Sequence, residues 1–84
     1  MIKNAIPLFH CETGDNVVIE SMSIQGAMRR RLLDLGFVKG AQLEILQKSP
    51  LGDPAAYRVN NTTIALRKEE SSQIFVKEAH DEYI

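Results

Sequence analysis

The stretch RRRLLDLGFVKG, residues 29–40, constrains what this chain can fold into more than any other. Ahead of it and through it, Ile24, Met28, Leu32 and Leu35 recur at helical spacing and make an apolar stripe. Ser23 is the expected N-cap of a helix beginning near Ile24, with Gly26 weakening the first turn enough for the start to slip by a residue or two. Arg29, Arg30 and Asp34 fall away from the stripe, and Arg31 and Leu33 lie at its margins. Gly36 suits the C′ position, where a left-handed residue ends a helix without a Cβ penalty. Phe37 then becomes C″, placed to touch Leu32 in a Schellman motif. Lys39 and Gly40 suit the central positions of a type II turn. The segment therefore reads as helix, cap and turn, with the arginines on its solvent face.

The rest of the chain reads as β. NVVIESM at 16–22 is rich in β-branched side chains. In AQLEILQKS, Leu43 and Ile45 alternate with Gln42 and Glu44, the period of a half-buried strand. AAYRVNNTTIALR reads as a hairpin: Tyr57 and Val59 lie on one arm, Ile64 and Leu66 on the other, and Asn60-Asn61 supplies the positive φ of its turn. KEESSQ has room for one helical turn, and IFVKE is a last strand. Residues 1–15 have no regular pattern. About five short strands and one helix predict a mainly β chain folded as a small barrel. Residues 1–78 form the single domain of this reading and 79–84 a polar tail.

Composition removes several classes of function. An 84-residue chain buries on the order of 60% of its unfolded surface, so its core is thin and leaves little room for a separate catalytic module. Ten Lys and Arg against eleven Asp and Glu leave a net charge of −1, whereas a nucleic-acid-binding domain carries a clear positive excess. Its one cysteine, Cys11, excludes an internal disulfide and a cysteine-rich metal knuckle. No apolar run approaches the length of a membrane span, and MIKNAIPLF is too short for a secretory signal, so a cytoplasmic protein is expected.

No catalytic constellation, cofactor motif or metal ligand set is legible. His10, Cys11 and Glu12 are neighbours that point apart on an extended chain, and they read as surface residues. His80, Asp81 and Glu82 fall in the expected tail. PLGDP at 50–54 is a stiff loop whose tip, Leu51, is held between prolines with little entropy to lose on binding. Leu51, Gly52 and Asp53 are thus the first candidates for partner contact, with Arg29 and Arg30 on the helix as the second. Leu32, Leu35, Gly36, Gly40, Pro50 and Pro54 read as structural.

The order and spacing of RRRLLDLGFVKG, PLGDP and IALRKEESSQIFV resemble ferrous iron transport protein A, the FeoA family, from about Leu8 to Val76. By position, Arg31, Leu32, Leu35, Gly36 and Gly40 match its helix-and-turn motif. Pro50, Leu51, Gly52, Asp53 and Pro54 match its loop, and Leu66, Arg67 and Glu70 match the segment before the last strand. The family often has glycine where this chain has Asn60-Asn61, and commonly alanine near Ser71. The resemblance implies an SH3-like β-barrel with an inserted helix. It also implies a non-enzymatic accessory of FeoB, the inner-membrane ferrous iron transporter with a GTP-binding domain, and associates the chain with transition metal ions. Its location would then be cytoplasmic, peripheral to the membrane through that partner, with no insertion of its own. The same domain type closes iron-dependent transcriptional repressors, which makes a regulatory role through a DNA-binding partner the main alternative. A third reading has an arginine stimulate the transporter's GTPase.

With no general positive charge and no recognition helix, the purified chain is expected not to bind duplex DNA specifically. Fluorescence anisotropy with labelled duplexes at physiological salt checks this. Sub-micromolar, sequence-dependent binding would instead favour the regulatory alternative.

Overall fold

The computed structural model describes residues 5–79. The element order is β1 (Ile6–Pro7), a 3-10 turn (Leu8–His10), β2 (Asn16–Met22), α1 (Gly26–Leu35), β3 (Gln42–Lys48), β4 (Ala55–Val59), β5 (Thr62–Leu66), α2 (Lys68–Ser71) and β6 (Ile74–Glu78). The strands form one antiparallel sheet in the order β1-β6-β2-β3-β4-β5. Register shifts between Ile19 and Ser21 on β2, and between Ile45 and Gln47 on β3, mark bulges that sharpen the bend of the sheet around its core.

Alternation decides which side chains enter that core. Val17 and Ile19, Leu43 and Ile45, Tyr57 and Val59, Leu66, and Ile74 and Val76 all point inward and are buried. The sixth strand is β1, two residues in a segment without sequence pattern. Pro7 sits there on a sheet edge, where a missing N–H costs nothing in the ladder. Immediately after it, Leu8 is fully buried.

The helix begins later than its sequence pattern predicts. Its N-cap is Gln25, with no side-chain cap, rather than Ser23. Ser23 donates its N–H to the Gln73 carbonyl at 2.8 Å, which holds the chain extended beside the start of β6. Ile24 is consequently buried from the lead-in to the helix. Leu32 is fully buried from α1 itself, with Met28 and Leu35 packed partly against the core.

The helix end matches its expectation. Gly36 has φ 108° and ψ 7°, its N–H donates to Leu33 at 3.1 Å, and the Phe37 N–H donates to Leu32 at 2.9 Å, the paired bonds of a Schellman motif. Phe37 is fully buried. In the following turn, the Ala41 N–H donates to Val38 at 2.9 Å and Gly40 has φ 91°, a type II turn. At the hairpin, Asn60 (φ 51°) and Asn61 (φ 63°) both take the left-handed conformation of a type I′ turn. The Ala79 N–H donates to Asn16 at 3.1 Å, so that residue extends the pairing of β2 with its neighbour. Residues 80–84 of the expected tail, including His80, Asp81 and Glu82, lie outside the described residues.

A Cβ on Gly36 would collide with the Asn60 side chain, and its φ is one that L-residues rarely adopt. Gly36→Val is therefore expected to cost more than about 1 kcal/mol, lowering Tm by roughly 4–8 °C for each kcal/mol in a domain of this size. A thermal melt superimposable on the parent's would contradict the assignment of this helix end.

Candidate functional site

The loop after β3 is braced by its own hydrogen bonds. Ser49 donates its N–H to Pro54 at 3.0 Å, closing the loop, and Gly52 donates to Ser49 at 2.7 Å inside it. The Asp53–Pro54 peptide bond is cis. From this frame Leu51 projects with 93% of its surface exposed, more than Ile6, Leu33 or Val38, the other large exposed apolar residues.

Asp53 has a second task that its sequence position does not reveal. Its Oδ1 accepts the Lys68 N–H at 2.9 Å, from fifteen residues away, at the first turn of α2. Within α2, Glu70 reaches back to accept the Arg67 N–H at 2.9 Å, half of a capping box. An arginine side chain has no acceptor to complete that box. Asp53 instead accepts the N–H of the first helical residue from the loop, where negative charge also suits a helix N-terminus. Ser71, on the same turn, is fully buried, and its hydroxyl is satisfied by the Arg67 and Lys68 carbonyls at 3.3 and 3.4 Å.

A cationic cluster stands beside the loop. Lys48 Nζ lies 4.9 Å from the Phe9 ring centroid and donates to the Phe9 carbonyl at 3.1 Å. Lys68 Nζ lies 5.3 Å from the same centroid. Contacts of this kind contribute about 0.5–1 kcal/mol each at exposed sites. No local pattern announces the cluster, because Phe9 and Lys48 are 39 residues apart.

Beneath it, Cys11 is buried, correcting its assignment to the surface; His10 and Glu12 are exposed. Apolar surroundings push the thiol pKa up, the nearby Asp15 carboxylate adds to the rise, and Lys48 opposes it. This is an inert core thiol rather than an activated nucleophile. The Tyr57 phenol is likewise raised by burial, with a partial offset from the Ser71 hydroxyl close by, although its oxygen has no aligned hydrogen-bond partner. Among the described residues, no three His, Cys, Asp or Glu side chains are grouped to hold a metal ion.

Arg29 and Arg30 line a shallow open groove with Gly26, Ala27, Leu33 and Asp34. Arg29 is half-buried and directs Nη1 at the Met22 carbonyl at 3.4 Å, fastening α1 to the end of β2. Arg30 and Arg31 are exposed. The two candidate surfaces are thus anchored to different elements, the groove to β2 and α1, the loop to β3, β4 and α2.

A six-stranded antiparallel sheet wrapped on one core, with a helix inserted between the second and third strands, defines an SH3-like domain. The FeoA domain model matches residues 6–78, and the chain belongs to the FeoA family. It is 37% identical over 70 residues to the Fe(2+) transport protein A/Fe(2+) transporter FeoB fusion protein of Porphyromonas gingivalis, covering 83% of this chain and 8% of that much longer protein. The solution structure of FeoA from Chlorobium tepidum superimposes with a TM-score of 0.84 at 38% identity, over 92% of this chain and 74% of that one. FeoA of Stenotrophomonas maltophilia, solved in complex with zinc and described as a prokaryotic SH3 domain protein, matches with a TM-score of 0.73 at 32% identity, over 89% of each chain. In this chain, no helix among the described residues is long and apolar enough to cross a membrane.

Because Asp53 caps α2 from the loop, Asp53→Ala is expected to destabilise the fold by about 0.5–2 kcal/mol, as loss of a helix cap does. Chemical denaturation with an unchanged m-value measures it. Stability equal to the parent's would show that the Asp53–Lys68 bond contributes nothing.

Proposed function

We propose that this protein is a non-enzymatic accessory of ferrous iron uptake that docks on the cytoplasmic face of a FeoB transporter through its 50–54 loop. The observation that carries the docking site is Leu51: a large apolar side chain, 93% exposed, on a loop braced by its own hydrogen bonds and by the Asp53 cap. Burying a leucine side chain contributes about 1.5–3 kcal/mol, and a preorganised loop loses little freedom in doing so. Family membership and the natural fusion of a related domain to FeoB support the choice of partner. In this reading the chain is peripheral to the inner membrane through the transporter.

Leu51→Asp tests the reading because no packing holds Leu51 in the fold. The variant is expected to melt with the parent, yet to lose about 2 kcal/mol or more of binding to purified FeoB and to lower ferrous iron uptake in cells. Isothermal titration calorimetry and radiolabelled iron uptake measure the two effects. A folded variant with full affinity and full uptake would move the docking surface elsewhere, first to the groove beside Arg29 and Arg30.

A further inference from the structure

We infer that the docking surface continues from Leu51 onto the Phe9, Lys48 and Lys68 cluster, and that it receives an acidic protein segment carrying an apolar side chain. This rests on the docking reading above and specifies the chemistry of what docks. Lys48 is the last residue of β3 and Lys68 the first of α2, so the two cations flank the loop, and the Asp53–Lys68 bond ties loop and helix together.

Two like charges drawn to one ring repel each other unless an anion lies between them. Arg58 pairs with Glu44 and Lys77 with Glu20, whereas among the described residues neither lysine of the cluster is paired with a carboxylate. In a chain whose net charge is −1, this is a local cationic site and not part of a general basic surface. The ring holds both side chains in place, so less rotamer freedom is lost when a carboxylate arrives. Leu51 on the loop and the lysines on the two elements that flank it thus offer apolar and cationic contacts, the complement of an acidic segment with an apolar anchor.

An anionic lipid surface is the poorer fit. Asp53 lies in the same loop and Glu69 in the same helical turn, and a flat layer of headgroups would meet those carboxylates together with the lysines. A segment of polypeptide can pass between them.

The test measures association of the 84-residue chain with detergent-solubilised FeoB for the parent, Leu51→Ala, Lys68→Glu and Lys48→Gln. Ionic strength is varied from about 0.1 M to about 1 M, which shortens the Debye length from about 10 Å to about 3 Å. Lys68→Glu is expected to raise Kd about tenfold at the lower ionic strength and to flatten the salt dependence, with a smaller loss of the same kind for Lys48→Gln. Leu51→Ala should weaken binding at both ionic strengths. Lys68 is exposed and the first helical turn accepts a carboxylate, so that variant stays informative even if Lys48→Gln, which removes the bond to the Phe9 carbonyl, melts early. Binding that depends on Leu51 but is indifferent to Lys68→Glu overturns this inference and leaves the docking reading standing. Failure of the parent to bind FeoB overturns both. Lys68-dependent sedimentation of the parent with phosphatidylglycerol vesicles, without Lys68-dependent binding to FeoB, would assign the cluster to lipid and overturn the inference as well.

Discussion

The left-handed Gly36 governs how the helix and the sheet share one core. It stops α1 after Leu35, turns the chain, and drops Phe37 into the interior beside Leu32, while the bonds to Leu32 and Leu33 satisfy carbonyls that the helix end would otherwise leave open. The same glycine lets the helix end approach the hairpin, since a side chain there would meet Asn60. Asn60 has its own positive φ, so two local conformational requirements meet at one contact. Helix, hairpin and core are joined there by residues whose backbone states leave little freedom for an alternative packing.

A second coupling sits at the 50–54 loop. PLGDP and the RKEES segment that follows β5 are separate motifs in the chain, yet Asp53 caps the helical turn that begins at Lys68. The loop is therefore fixed by its contribution to folding. Ser71 fits the same turn. It buries its hydroxyl without penalty because two carbonyls of the preceding turn accept from it.

One short segment holds both residues that support the fold and one that is left in solvent. Asp53 accepts the Lys68 N–H and the Pro54 carbonyl closes the loop, whereas Leu51 contributes almost nothing to the core. The arginines divide in the same way: Arg29 is fastened to β2, while Arg30 and Arg31 remain in solvent. A thin core places most of this domain under packing constraint, so the few residues released from it are the ones free to be shaped by a partner.

Much of the architecture was legible in the sequence because its signals are local. The helix end, the type II turn, the Asn60-Asn61 hairpin and the strand alternation each depend on residues within a few positions of one another, and a left-handed φ or a period of two is a property of the chain segment itself. The stiff loop and its exposed tip were legible for the same reason. Tertiary structure decided the rest. The helix starts at Gly26 because Ser23 is bound to Gln73, Leu8 and Cys11 enter the core from a segment with no pattern, and Asp53 caps a helix fifteen residues away. The Phe9, Lys48 and Lys68 cluster likewise exists only once the sheet brings distant segments together. Backbone propensity is encoded locally, whereas burial and hydrogen-bond partnership across long separations are set by which surfaces the folded sheet brings into contact.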